Sequence, residues 1–99
     1  MMLGDKISAE EAERIGMVYK VFPDETFFEE SFKLALRLAK MPTRALAFTK
    51  QALNLSFENS FEEQLHDEDI LQQKAAQTYD YKEGVQSFIE KRVADFKGE

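Results

Sequence analysis

A chain of 99 residues is one small domain or a piece of a larger one, and it buries only about two-thirds of its unfolded surface. Its 43% apolar content and nine Phe suffice for a limited core, and they leave room for an apolar face that needs a partner. The net charge of −6 argues against nucleic-acid partners, and the absence of Cys excludes disulfides, thiolate zinc sites and a cysteine nucleophile.

Met1-Met2-Leu3 runs into Gly4-Asp5, which does not read as a signal peptide. No apolar run approaches the roughly twenty residues that cross a bilayer, so a soluble, cytoplasmic protein with no membrane contact is expected. Ser8 with Glu11 has the spacing of a capping box and opens a short helix, SAEEAERIG, with Gly16 as its left-handed stop. MVYKVF (17–22) is β-branched and aromatic before Pro23, so it predicts a short strand or an extended connector. A lone strand would leave backbone groups unpaired, which points to sequence missing upstream.

Asp24 can cap a helix to about Lys40, with Phe28, Phe32, Ala35 and Ala39 along one stripe. Met41-Pro42 breaks it, because proline disfavours helix in the residue before it. Thr43 starts the next helix, to about Phe57, with Leu46, Thr49, Leu53 and Phe57 facing one way. Asn59 interrupts, and Ser60 with Glu63 makes another capping box. The helix that follows, to about Gln77, has a possible buried stripe of Phe61, Leu65, Glu68, Gln72 and Ala75 and a polar middle. Asp80 with Glu83 predicts a last capped helix, carrying Val85, Phe88, Ile89, Arg92, Val93 and Phe96 at helical spacing. Lys91, Arg92 and Lys97 would then stand at its negative end. The fold expected is all-α, with four to five helices and a short extended segment near residues 17–22.

The chemistry-bearing residues are sparse. His66, Asp67, Glu68 and Asp69 form a solvated helix face rather than a metal site, which wants about four organised ligands. The adjacent pairs Glu10-Glu11, Glu29-Glu30 and Glu62-Glu63 point apart on a helix, so none forms an acid/base couple. Nucleophile elbows, dinucleotide fingerprints and phosphate loops are all missing from the sequence. Phe28 and Phe32 read as core or interface. At the C-terminal end two readings stand open. Either the cations lie in water beside a docked helix, or Phe96 and Lys97 hold an anionic, aromatic ligand.

Two end motifs carry a resemblance. Gly4, Ser8, Glu11-Ala12, Gly16-Met17-Val18 and Val21 resemble the segment that follows the catalytic core in the crotonase superfamily, the enoyl-CoA hydratases and isomerases. Pro42 and Thr49-Lys50-Gln51-Ala52-Leu53 resemble its next helices. Tyr81-Lys82-Glu83-Gly84-Val85, Phe88-Ile89-Glu90-Lys91-Arg92 and Phe96-Lys97-Gly98 resemble its closing pattern, with Val93 where many members have Pro. The resemblance spans essentially the whole chain, as a single domain over residues 1–99.

That resemblance implies a C-terminal helical domain that covers the acyl-CoA site and builds trimers or hexamers. It also implies that the spiral supplying the oxyanion hole and the catalytic acids is absent, so none of the residues here is catalytic. Hydration of a 2-enoyl-CoA, or double-bond isomerisation of an acyl-CoA, would be the reaction of the whole enzyme. Coenzyme A would enter as part of that substrate and not as a tightly bound cofactor. By resemblance, Phe96 and Lys97 meet its adenine and phosphate; Phe88 is a further candidate, with a core place on the apolar stripe as its other reading. The competing expectation is a stand-alone helical module that binds a protein through its Phe-rich face.

Overall fold

The structure, a computed structural model, describes residues 4–99. Among these it has five helices and no strand: α1 (Ala9–Arg14), α2 (Phe27–Ala39), α3 (Thr43–Leu55), α4 (Phe61–Ala76) and α5 (Tyr79–Glu90). The chain divides into two compact units, Met1–Leu34 and Ala35–Glu99, with the boundary inside α2.

In the first unit, Ser8 caps α1 by accepting the Glu11 N–H at 3.2 Å. The box is not reciprocal, because the Glu11 carboxylate pairs with Arg14 instead. Gly16 ends α1 at a φ of +78°. Its N–H and that of Met17 donate to the Glu13 and Ala12 carbonyls, the pairing of a Schellman turn. Residues 17–22 form bends and an irregular connector, with no ladder. Part of their backbone is bonded locally: Val18 also donates to Ala12, and Val21 donates to the Glu13 carboxylate at 2.9 Å. Asp24 does not cap α2. Pro23 to Thr26 form a turn in which the Thr26 N–H donates to the Pro23 carbonyl, and the helix begins only at Phe27. Phe28 and Phe32 stack at 5.9 Å between ring centroids and remain exposed.

In the second unit, α3 packs along α4 and α4 meets α5. The Ser60–Glu63 box is complete, with each side chain accepting the other's backbone N–H, at 3.3 Å and 2.8 Å. The expected stripe of α4 is rotated. Phe61 and Leu65 are exposed, and Leu71 is the one buried apolar residue among the described residues, at 5% exposure. Gln64 lies on the inner side instead, donating to the Ala52 carbonyl of α3 at 3.2 Å. The acidic middle of α4 is drawn into amide pairs: Asn59 donates to Asp67, Gln64 to Glu68 and Gln73 to Asp69.

The last helix departs most from expectation. Thr78, not Asp80, is its cap, accepting the Tyr81 N–H at 3.1 Å. The helix stops at Glu90 instead of running to Phe96. Lys91 adopts a left-handed φ of 55°, and the N–H groups of Lys91 and Arg92 donate to Phe88 and Ser87. This is the same Schellman pairing that closes α1, built without glycine. Residues 92–99 then run back beside the start of α5, where the Asp80 N–H donates to the Glu99 carbonyl at 3.0 Å.

Candidate functional site

The returning tail is held by two carboxylates of α5. Asp80, only 2% exposed, accepts the Lys97 N–H on one oxygen at 2.7 Å and the Gly98 N–H on the other at 2.8 Å. One turn of α5 further on, buried Glu83 accepts the Asp95 N–H at 2.8 Å and a fork from the Arg92 guanidinium. The Arg92 fork, then the Asp95 N–H, hold the Glu83 carboxyl down at about 2, and Arg92 is shifted upward in return. Arg92 is also engaged by Glu90 at 2.6 Å, so both of its faces are occupied.

Between these two anchors lies Phe96. Its ring rests over Gly84, where an added Cβ would meet the ring at 3.6 Å, an ordinary contact. Gly98 tolerates no such addition: its φ is +76°, and a Cβ would stand 2.5 Å from the Thr43 hydroxyl oxygen at the start of α3.

This arrangement walls a cavity of about 480 Å³. Its apolar lining includes Pro42, Ala45, Val85, Phe88 and Phe96, and Asp80 also borders it. Its size and mostly apolar lining fall in the range of small-molecule pockets. Of the three residues singled out by resemblance, Phe88 and Phe96 come together in its wall, although Phe88 is otherwise 84% exposed. Lys97 does not line the cavity. Its ammonium lies over the Tyr79 ring, 5.1 Å from the centroid. A second, apolar groove of about 460 Å³ runs between α3 and α4, lined by Phe48, Ala52, Leu53 and Leu71 among others.

Sequence reasoning gave Asp80 and Glu83 a local capping role and overlooked their hold on the tail. The available signal was their three-residue spacing, which puts both carboxylates on one side of a helix.

A sequence model of the enoyl-CoA hydratase/isomerase family matches residues 1–99. The chain belongs to the enoyl-CoA hydratase/isomerase family. Among relatives, 1,2-epoxyphenylacetyl-CoA isomerase of Escherichia coli K12 is 40% identical over 97 residues, covering 98% of this chain and 37% of the relative. The 2,3-dehydroadipyl-CoA hydratase of the same organism is 37% identical over 98 residues, covering 99% of this chain and 38% of its own length. Among solved structures, an enoyl-CoA hydratase from Polaromonas sp. JS666 superposes with a TM-score of 0.89 at 27% identity, over 98% of this chain and 38% of that one. The enoyl-CoA hydratase of Bacillus anthracis does so with a TM-score of 0.81 at 31% identity, over 94% and 36%. The chain thus spans well under half the length of these family members.

The described residues include no group of three His, Asp or Glu side chains arranged to hold a metal, and no helix long and apolar enough to cross a membrane.

Proposed function

We propose that this chain is the C-terminal helical part of an enzyme acting on acyl-CoA thioesters, where it caps the CoA end of the substrate and joins subunits. The whole enzyme hydrates a 2-enoyl-CoA or moves a double bond in an acyl-CoA. In either case an enolate is stabilised by backbone N–H donors of an oxyanion hole, the kind of preorganised electrostatics that dominates such catalysis. Those donors and the catalytic acids belong to a core that these five helices do not form. The chain's own share is binding. Phe96 and Phe88 receive the adenine face, and Lys97 swings from Tyr79 to a phosphate.

The observation that carries this reading is the cavity that joins Phe88 and Phe96, with Lys97 next in the chain. The closing motif from Tyr81 to Gly98, matched to the family's, supports the C-terminal position. Exposed Phe57, Phe61 and Leu53 supply apolar surface for a catalytic core or for neighbouring subunits of a trimer or hexamer. A cytoplasmic location accompanies the proposal.

Calorimetric titration with coenzyme A and with a 2-enoyl-CoA tests the reading. Saturable binding that weakens about tenfold in Phe96→Ala and in Lys97→Ala is expected. A stable monomer that takes up neither ligand would favour the second reading, a helical protein-interaction module. The stacked and exposed Phe28 and Phe32 are the feature that favours that module.

A further inference from the structure

We propose that Asp80 is a positioning residue for coenzyme A recognition: by gripping the tail backbone on the far side of Phe96, its carboxylate sets where the Phe96 ring and the Lys97 ammonium stand. The inference rests on the CoA reading above.

Its basis is geometric. A buried carboxylate normally needs a cation or several N–H donors close by. Asp80 meets that need with two consecutive backbone N–H groups, one on each oxygen, at 2.7 Å and 2.8 Å. Both donors come from residues 17 and 18 positions away, so the contact does nothing for the helix that carries it. What it fixes is the tail. Glu83 pins Asp95 on the near side of Phe96 and Asp80 pins Lys97 and Gly98 on the far side. Phe96 is left little freedom except its own side-chain rotation, and its ring is set down on Gly84. Gly98 also lies close against Thr43, where an added Cβ would stand 2.5 Å from the hydroxyl oxygen. Asp80 also borders the cavity that Phe96 closes, so anchor and wall are one unit.

Asp80→Asn is the discriminating change. It keeps the shape of the side chain but turns one of its two acceptors into a donor facing an N–H. Asp80→Glu keeps both acceptors and displaces them by one methylene.

The test is a titration of the isotope-labelled chain with coenzyme A itself, followed at backbone amides, for wild type, Asp80→Asn, Asp80→Glu and Lys97→Ala. The heteronuclear NOE at residues 95–98 is recorded without ligand. Asp80→Asn is expected to lower the NOE at Lys97 and Gly98, leave the α3 and α4 resonances in place, and weaken CoA about tenfold. Asp80→Glu is expected to fall between it and wild type. Lys97→Ala should lose affinity with the tail still ordered, which separates the ligand contact from its positioning.

Wild-type affinity in Asp80→Asn, or a tail that stays as ordered as before, overturns the proposal. Should Asp80→Asn fail to fold, unchanged CoA affinity in Asp80→Glu overturns it equally. A wild-type chain with an ordered tail and no CoA response refutes the CoA reading, and the positioning role with it. Wild-type binding that survives in both Asp80 variants refutes the positioning role alone.

Discussion

At the start of α4 the Ser60 hydroxyl takes the Glu63 N–H and the Glu63 carboxylate takes the Ser60 N–H. At the start of α5, Asp80 and Glu83 stand at the same spacing, yet both carboxylates reach across to the tail at Asp95, Lys97 and Gly98. The difference lies in what competes for the side chain. Among the described residues nothing else bonds the Ser60 hydroxyl, so its side chain serves its own helix. Around α5 a returning segment offers N–H donors, and Thr78 already caps the helix, so the carboxylates are released for long-range work. The same three-residue spacing thus serves as a capping box at α4 and as a tail anchor at α5.

The largest expected effect breaks this contrast at its centre. Asp80→Ala strands two tail N–H groups and should cost about 3 kcal/mol, read as a lower midpoint in urea. A change below about 1 kcal/mol would mean that the tail contributes little to folding.

A pair of glycine substitutions sharpens the same point with opposite signs. Gly98→Ala forces a left-handed residue to carry a Cβ against Thr43, and should destabilise by about 2 kcal/mol. Gly84→Ala lies in a helix interior with ordinary space under the Phe96 ring, and should stabilise by up to about 1 kcal/mol. Thermal unfolding of the two variants side by side decides whether the tail sits as described. Equal behaviour of the two would contradict it.

The ends of α1 and α5 offer a second contrast. Both close by a Schellman pairing, on Gly16 in one and on Lys91 in the other. Lys91→Gly should relieve the left-handed strain and stabilise by about 1 kcal/mol, measured by chemical denaturation.

The last effect shows itself only as the pH is lowered. The Glu83 carboxyl is held down at about 2 by Arg92, the Asp95 N–H and, more weakly, Lys97. Its stabilisation is present above the ordinary carboxylate value of 4.5 and drains away as pH falls towards about 2. Unfolding midpoints measured from neutral pH down through that window should fall in wild type, and Glu83→Gln should remove this part of the slope.

Much of the fold was readable from local residues. Pro42 marks the break before α3, Gly16 the end of α1, and Ser60 with Glu63 the start of α4. Each acts on its own neighbours, which is why the signal survives without tertiary information. The end of α5 was not readable, because Lys91 is not the residue that normally turns a helix back. Val85, Phe88, Val93 and Phe96 mimic a continuing helix, but the Asp95, Lys97 and Gly98 N–H groups donate to Glu83 and Asp80 instead of to a helical turn. The inner face of α4 was misread for a related reason. Gln64 and Leu71 face α3, where an amide can bond the Ala52 carbonyl, while Phe61 and Leu65 are left outward. Phe88 and Phe96 were singled out by motif and both line the cavity, whereas the groups that hold Phe96 in place were missed because they lie up to 18 residues away in sequence.

Amide hydrogen exchange at Lys97 and Gly98 tests the central claim most directly. With both N–H groups bonded to the buried Asp80 carboxylate, they should exchange well below free-coil rates in wild type and return to those rates in Asp80→Ala. Free-coil exchange at both amides in the wild-type chain would contradict the account.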